Sequence, residues 1–478
     1  MERNLSFYTF YYILSLVVMR GSGILAKILL ARSITPYEYG LITLFVIALP
    51  GLFQNVTNFC FYDILGHATE GKKYLGFSLE YGAFATAFLA IIFFVFHTAI
   101  FSFLNIPSDY WSILYIILFT ALFSITLCVV IMGYLRGSRN YSLASSLSAA
   151  PSILRVIFIF FALYIFGIEN FLVIIIIFTL PLLFVLISSI VMTFRTIVES
   201  LKAISIPSWD MFIFGFSFFI LSSWVGLSQQ ITSVLISHKL GVEYQGYFDV
   251  SLSLVGVLTF FSAAIYLISA PETTAKDYLS DNLHRKGGFG DLGRIFFSLT
   301  LLCVIIIYFY SYPLISLVYT SNYALAADYL YILAIGYAVL FVQQFISFLN
   351  ISSDRYGISR LSLVTVASIL VFPVFTYMMI SYFQFLGAYL ASTIFILMYT
   401  LVTILLLKDR TPMFLILKKI DRLILSVSGT VLIIYMLHLS LIPGMITATV
   451  VFSVLTIASG YLDRDMLMDV FYIKKKMT

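Results

Sequence analysis

The chain has 478 residues, 62% of them hydrophobic and only 10% charged, and a formal net charge of +5. A soluble domain is roughly a quarter charged, so this composition excludes a water-soluble globular protein. The small basic excess lies where membrane topology puts it rather than in a nucleic-acid-binding surface, and no nucleic-acid partner is expected.

In chain order, apolar runs of membrane-spanning length occupy 5–30, 40–62, 76–104, 111–135, 142–166, 170–194, 209–237, 246–270, 292–318, 324–350, 357–381, 385–407, 423–441 and 444–461. About 20 apolar residues cross the hydrocarbon core, so fourteen helices are predicted. The runs are too long and too evenly apolar for the alternating strands of an outer-membrane barrel. The first has no cleavage site and is expected to stay as a helix. Cys60, Cys128 and Cys303 each fall inside a run and are odd in number, which predicts free thiols.

Lysine and arginine sort by side. With the N-terminus in the cytoplasm, twenty-two of the 27 basic residues fall in inner breaks or tails, and only Arg32 and Lys239 fall outside. Arg20, Lys27 and Arg155 lie within runs. This asymmetry predicts a multi-pass protein of the cytoplasmic membrane with both termini inside. The tail Lys474-Lys475-Lys476 is expected to rest against anionic lipid headgroups. The longest breaks, 63–75, 271–291 and 408–422, are all on the inner side, which disfavours a membrane polymerase holding catalytic groups in an outer loop.

Two stretches repeat. Leu30-Ala31-Arg32-Ser33-Ile34-Thr35-Pro36-Tyr37-Glu38-Tyr39-Gly40 aligns without gaps on Ile236-Ser237-His238-Lys239-Leu240-Gly241-Val242-Glu243-Tyr244-Gln245-Gly246, 206 positions later. A weaker echo joins 137–141 to 352–356. Two six-helix halves, 1–208 and 209–407, would then be followed by two helices and a basic tail in 408–478. Because six is even, the halves are parallel repeats about an axis along the membrane normal, a plan that leaves a cavity between them.

The segment Ala31-Arg32-Ser33-Ile34-Thr35-Pro36-Tyr37-Glu38-Tyr39-Gly40 resembles the A-R-x-L-x-P-x-E-Y-G signature of polysaccharide exporters. These are oligosaccharide flippases within the multidrug/oligosaccharidyl-lipid/polysaccharide (MOP) exporter superfamily. The fourteen-helix, 6+6+2 layout and the basic Gly137-Ser138-Arg139-Asn140-Tyr141 turn fit the same family. The resemblance implies an all-α, non-enzymatic transporter that moves a polyprenyl-(pyro)phosphate-linked oligosaccharide to the outer leaflet by alternating access, with glycan-assembly enzymes as partners. A peptidoglycan-precursor flippase and a cation-coupled multidrug antiporter of the superfamily remain as alternatives, with a membrane glycan polymerase behind them.

Ionisable groups at membrane depth are costly and mark functional candidates. Arg20 and Lys27 are seven residues apart, nearly two turns, and so share a face beside the small residues Gly21, Ser22 and Gly23. Arg155 follows Pro151 in the fifth run. Together they are candidates for a cationic patch that holds substrate phosphates; the competing reading has Lys27 and Arg155 reaching toward the membrane surfaces. Glu80 and Asp249, each about one turn inside a run, are the candidates for proton or sodium coupling, against solvated helix-end carboxylates. Gln54, Asn55, Asn58, Gln229, Gln230, Gln343 and Gln344 are candidates for sugar contacts or for interhelical hydrogen bonds.

Other signals are set aside. Gly288-Phe289-Gly290-Asp291-Leu292-Gly293 has dinucleotide-binding spacing but no preceding strand. Gly133 and Gly137 are expected to end the fourth run rather than mediate dimerisation. With no nucleotide-binding loop, no cofactor is expected, and the energy source is an ion gradient or substrate flux.

Overall fold

The computed structural model describes residues 2–67, 71–138, 140–202, 204–260, 288–353, 355–406 and 417–463. The second half of the eighth run, the basic residues Arg139, Lys276, Arg285, Lys286, Lys408, Arg410 and Arg464, and the 474–476 tail lie outside them. The described residues are helical throughout their regular structure, and ten helices are long and apolar enough to cross a membrane. The protein is an all-α multi-pass membrane protein. Its surface agrees: α9 (Phe171–Lys202) exposes Leu180, Phe184, Ile187, Val191 and Phe194 in steps of three and four residues. That stripe suits acyl chains and would be an aggregation site in water.

Two compact units are present, 1–250 with 362–391, and 251–361 with 392–478. They group residues by packing. The division at 208 and 407 concerns sequence repeats and is a different property.

In the first unit, α1 (Glu2–Ala31) packs along α8 (Tyr141–Phe160). The second apolar run is broken into α2 (Pro36–Thr43), a π-turn (Leu44–Ala48), α3 (Leu49–Thr57) and α4 (Phe61–His67). The π-turn has a local cause: Pro50 opens α3 with no N–H to give back to the preceding turn, so the helix widens there. The second break is at Phe59, a bulky residue at φ 44°. It is followed by α5 (Gly71–Val95), α6 (His97–Phe103), α7 (Trp111–Gly137), α9, α10 (Trp209–Lys239) and α11 (Val242–Val255). Leu65, Leu79, Val130, Ile131, Leu147 and Val185 form one buried core among α4, α5, α7, α8 and α9. Gly137 ends α7 as expected, but Gly133 does not. It sits inside the helix, where a Cβ would come within 2.9 Å of the Tyr62 carbonyl, so it exists for close packing of α7 on α4.

The repeated stretches pack on each other. A Cβ on Gly40 would strike the backbone carbonyl of Val242, and a Cβ on Gly246 would strike that of Pro36. Val242 is the repeat partner of Pro36, as Gly246 is of Gly40, so the two contacts are one contact seen twice about a local two-fold. The motif text is thus explained physically. Thr35 caps α2 by accepting from the Glu38 N–H (3.3 Å), Glu38 returns a bond to the Thr35 N–H (3.0 Å), Pro36 fits the first turn, and Gly40 allows the crossing. Thr35→Ala should cost about 1 kcal/mol of stability, the usual worth of such a cap, read as a fall in thermal midpoint. At the same end of this unit Asn105 donates to the His238 carbonyl (2.7 Å), and the His238 ring stacks on Phe103 at 3.8 Å. We call this the motif end.

The second unit contains α12 (Gly288–Val318), α13 (Leu330–Ser353), the later part of α14 (Arg355–Leu406), α15 (Ile420–Leu437) and α16 (Leu441–Ala458). The α14 stretch breaks at Gln384 (φ 54°), between the eleventh and twelfth predicted runs. Phe297, Leu302, Ile305, Phe341, Phe345, Ile434 and Phe452 form the core that holds α15 and α16 to α12 and α13. Pro313 bends α12, with Tyr310 off helical geometry one turn earlier and its ring against Gly444. Lys419 clamps the far end of the hairpin, donating to the Gly460 carbonyl (2.9 Å) and to Asp463 (2.7 Å), which holds the Asp463 carboxyl below its ordinary range.

Candidate substrate cavity and ion cluster

The break in the second run positions the first feature. Ending α3 at Thr57 and turning the chain at Phe59 place Asn58 at a helix C-terminus, on one wall of a cavity of about 360 Å³. The wall continues with Gln54, Asn55 and Tyr62 from the same run, Met19 from α1, Val129 and Met132 from α7, Ser148 from α8, and Phe219, Ser222 and Ser223 from α10. Among these residues there is no carboxylate, ammonium or guanidinium. The cavity lies toward the end of the first unit remote from the motif end, since Asn58 follows the last residue of α3, Tyr62 lies beyond it in α4, and Met132 is near the far end of α7.

The amides play different parts. Asn55 donates to the Gly51 carbonyl (2.7 Å) and faces the Gln230 oxygen (3.4 Å), so this pair joins α3 to α10. Asn58 is only 6% exposed, and its amide oxygen is buried with no hydrogen-bond partner among the described residues. Gln229 is half-buried on α10; Gln343 is buried and Gln344 half-buried on α13, in the second unit.

The second feature lies near the motif end. Lys27 donates to both oxygens of Asp249 (2.8 and 2.9 Å), and the fully buried Tyr39 hydroxyl donates to the same carboxylate (2.7 Å). The side chains of Lys27 and Asp249 are 19% and 8% exposed. Two residues assigned by sequence to different roles, phosphate binding and ion coupling, are therefore each other's counter-ions. Tyr39, which the sequence reading did not single out, completes the cluster; its place in the repeated motif was the available signal. Arg155 is engaged elsewhere: its Nε donates to the Phe178 carbonyl of α9 (3.1 Å), and its guanidinium lies 4.4 Å from that residue's ring centroid. Arg20 is half-buried on α1, next in sequence to the cavity residue Met19, and is not itself in the wall. Glu80 is exposed on α5. The structure thus does not gather Lys27 and Arg155 into one open cationic patch. It also adds Tyr62, Ser148, Ser222 and Ser223 to the amides.

A solved structure of the lipid II flippase MurJ in an inward closed conformation matches this chain at a TM-score of 0.65 and 14% identity, over 97% of this chain and 99% of that one. An inward-facing multidrug resistance MATE family transporter of the MOP superfamily matches at 0.62 and 16% identity, over 83% and 94%. The chain shares the fold of these two solved structures. A further MATE transporter in a bent conformation matches at 0.55 and 16% identity, over 86% of this chain and 94% of that one. No family model and no curated protein sequence matches. At these identities the likeness establishes the fold alone and leaves cargo to be argued from side chains.

Proposed function

We propose that the protein is a flippase that carries a polyprenyl-(pyro)phosphate-linked oligosaccharide across the cytoplasmic membrane for cell-surface glycan assembly. The observation that carries this reading is a cavity whose uncharged wall sets amides and hydroxyls among Met19, Val129, Met132 and Phe219, beside a helix that bears Arg20. Such a wall suits sugar hydroxyls, and arginine suits phosphate oxygens.

In this reading the motif end faces outward and the cavity opens toward the cytoplasm. The sugar enters the cavity, the phosphates meet Arg20, and the polyprenyl tail stays in lipid. The Lys27–Asp249–Tyr39 cluster and the Gly40/Gly246 crossing hold the outward side closed until the halves rock. A proton or sodium ion taken up by Asp249 would release Lys27 and couple opening to an ion gradient, with Glu80 as a second candidate carboxylate. Lys27 and Arg155 remain candidate phosphate contacts only in a conformation that frees them.

The two solved neighbours, a lipid II flippase and a multidrug transporter, keep a peptidoglycan-precursor flippase as the second reading and a drug antiporter behind it. In proteoliposomes the wild-type protein should move a fluorescent polyprenyl-diphosphate oligosaccharide between leaflets. Arg20→Ala should slow this at least tenfold, the effect of losing roughly 1.5–3 kcal/mol of charged hydrogen bonding. Transport by Arg20→Ala at the wild-type rate would remove the phosphate role.

A further inference from the structure

We infer that the α3–α4–α10 cavity is a subsite for an uncharged saccharide unit, with Asn58 accepting a hydrogen bond from a sugar hydroxyl or acetamido N–H. The inference rests on the flippase reading for its transport consequence and on the cavity alone for binding. Asn58 is more than nine-tenths buried, yet its amide oxygen has no partner among the described residues; the amide nitrogen of neighbouring Asn55, by contrast, donates to the Gly51 carbonyl and to the Gln230 oxygen. Buried acceptors are almost always satisfied, and an exception asks what satisfies it.

The backbone beside it points the same way. Phe59 is held at φ 44°, a conformation unfavourable for a bulky side chain, and its ring is wedged against Phe216 and Phe219 at 5.5 and 6.0 Å. Strained positions persist where packing enforces them, and they cluster at ligand sites. Here the strain ends the helix so that the Asn58 side chain meets the cavity instead of the next turn.

The wall explains the selectivity. Gln54, Ser148, Ser222, Ser223 and Tyr62 bring an amide and hydroxyls to the wall, with Met19, Val129, Met132 and Phe219 between them for sugar C–H groups. The wall residues themselves offer a uronic-acid carboxylate no counter-charge, the Arg136 guanidinium being stacked on the Tyr62 ring at 5.2 Å from its centroid, and an uncompensated buried charge is strongly disfavoured. At about 360 Å³ the space is near the lower end for small-molecule sites, so it takes part of an oligosaccharide rather than the whole.

The test uses the full-length protein in lipid nanodiscs, with methyl β-glucoside as neutral probe and methyl β-glucuronide as its carboxylate counterpart, followed by saturation-transfer NMR. Binding of the neutral glycoside should be saturable and at least about tenfold tighter than that of the glucuronide. Asn58→Leu should weaken it about tenfold or more. Should that variant misfold, Ser222→Ala/Ser223→Ala, which deletes two hydroxyls from a half-open wall, should still weaken it about threefold or more. Equal affinity for the two glycosides, wild-type affinity in both variants, or no saturable binding overturns the inference.

Lipid-linked forms of the same sugars complete the design. Displacement of the neutral glycoside by its lipid-linked form, at lower concentration than by the free sugar, identifies a lipid headgroup as the ligand; the reverse order identifies a soluble sugar. If lipid-linked sugars do not cross proteoliposomes while the glycoside binds through Asn58, the subsite stands and the flippase reading falls. If neutral and uronate lipids cross equally and the glycosides are not discriminated, the flippase reading stands and the subsite falls.

Discussion

Lys27→Met is expected to destabilise the protein by about 3–5 kcal/mol, the loss that follows when one member of a buried ion pair is removed and the other is left behind. Among the described residues, Asp249 would keep the Tyr39 hydroxyl as its donor, in a site where its side chain is 8% exposed. The carboxylate must then take up a proton or draw water into the helix crossing. Replacing both partners with apolar residues, Lys27→Met/Asp249→Leu, removes the stranded charge and should restore most of the stability, because desolvation of the two ions offsets much of their attraction. Unfolding of the detergent-solubilised protein, followed by heat or by denaturing detergent, measures all three forms. A single variant as stable as wild type, or a double variant no better than the single, would show that the pair is not buried as described.

Gly40→Ala and Gly246→Ala should each destabilise by about 1–3 kcal/mol, the usual cost of forcing a methyl group into a filled contact. The atoms each Cβ would meet are backbone: the Val242 carbonyl for Gly40, the Pro36 carbonyl for Gly246. Backbone cannot rotate aside as a side-chain tip can, so α2 and α11 must separate. Because both substitutions press on the same crossing, the separation forced by the first makes room for the second. The double variant should therefore cost less than the two singles combined, a coupling that a double-mutant cycle reads directly. Strict additivity would mean the two glycines serve unrelated contacts.

Much of this architecture was legible because the bilayer demands long apolar helices and sorts basic residues by side. The break at Gln384 falls in the polar gap between two runs, and the capping box lies openly in Thr35-Pro36-Tyr37-Glu38. Pairing was not legible. Lys27 and Asp249 each stood out as ionisable groups in apolar text, but they are 222 residues apart and nothing local names the partner. The state of Asn58 depends on the Phe59 turn, which is set by Phe216 and Phe219 far along the chain. Ser148, Ser222 and Ser223 gave no signal because serine in a membrane helix commonly bonds back to its own backbone, as Ser222 does to the Phe219 carbonyl. Gly133 was misread because a glycine that ends a helix and one that lets a neighbour approach look alike in a single sequence.

Thiol accessibility tests the alternating-access account most directly. With Cys60, Cys128 and Cys303 replaced by alanine, a cysteine at the exposed cavity position Ser222 should react with a membrane-impermeant maleimide added from the cytoplasmic face, and hardly at all from the outside. Adding the apolar pair Lys27→Met/Asp249→Leu should raise outside labelling. A Ser222→Cys protein that labels from neither face, or equally from the outside with the ion cluster intact, would contradict a water-filled chamber closed at the motif end.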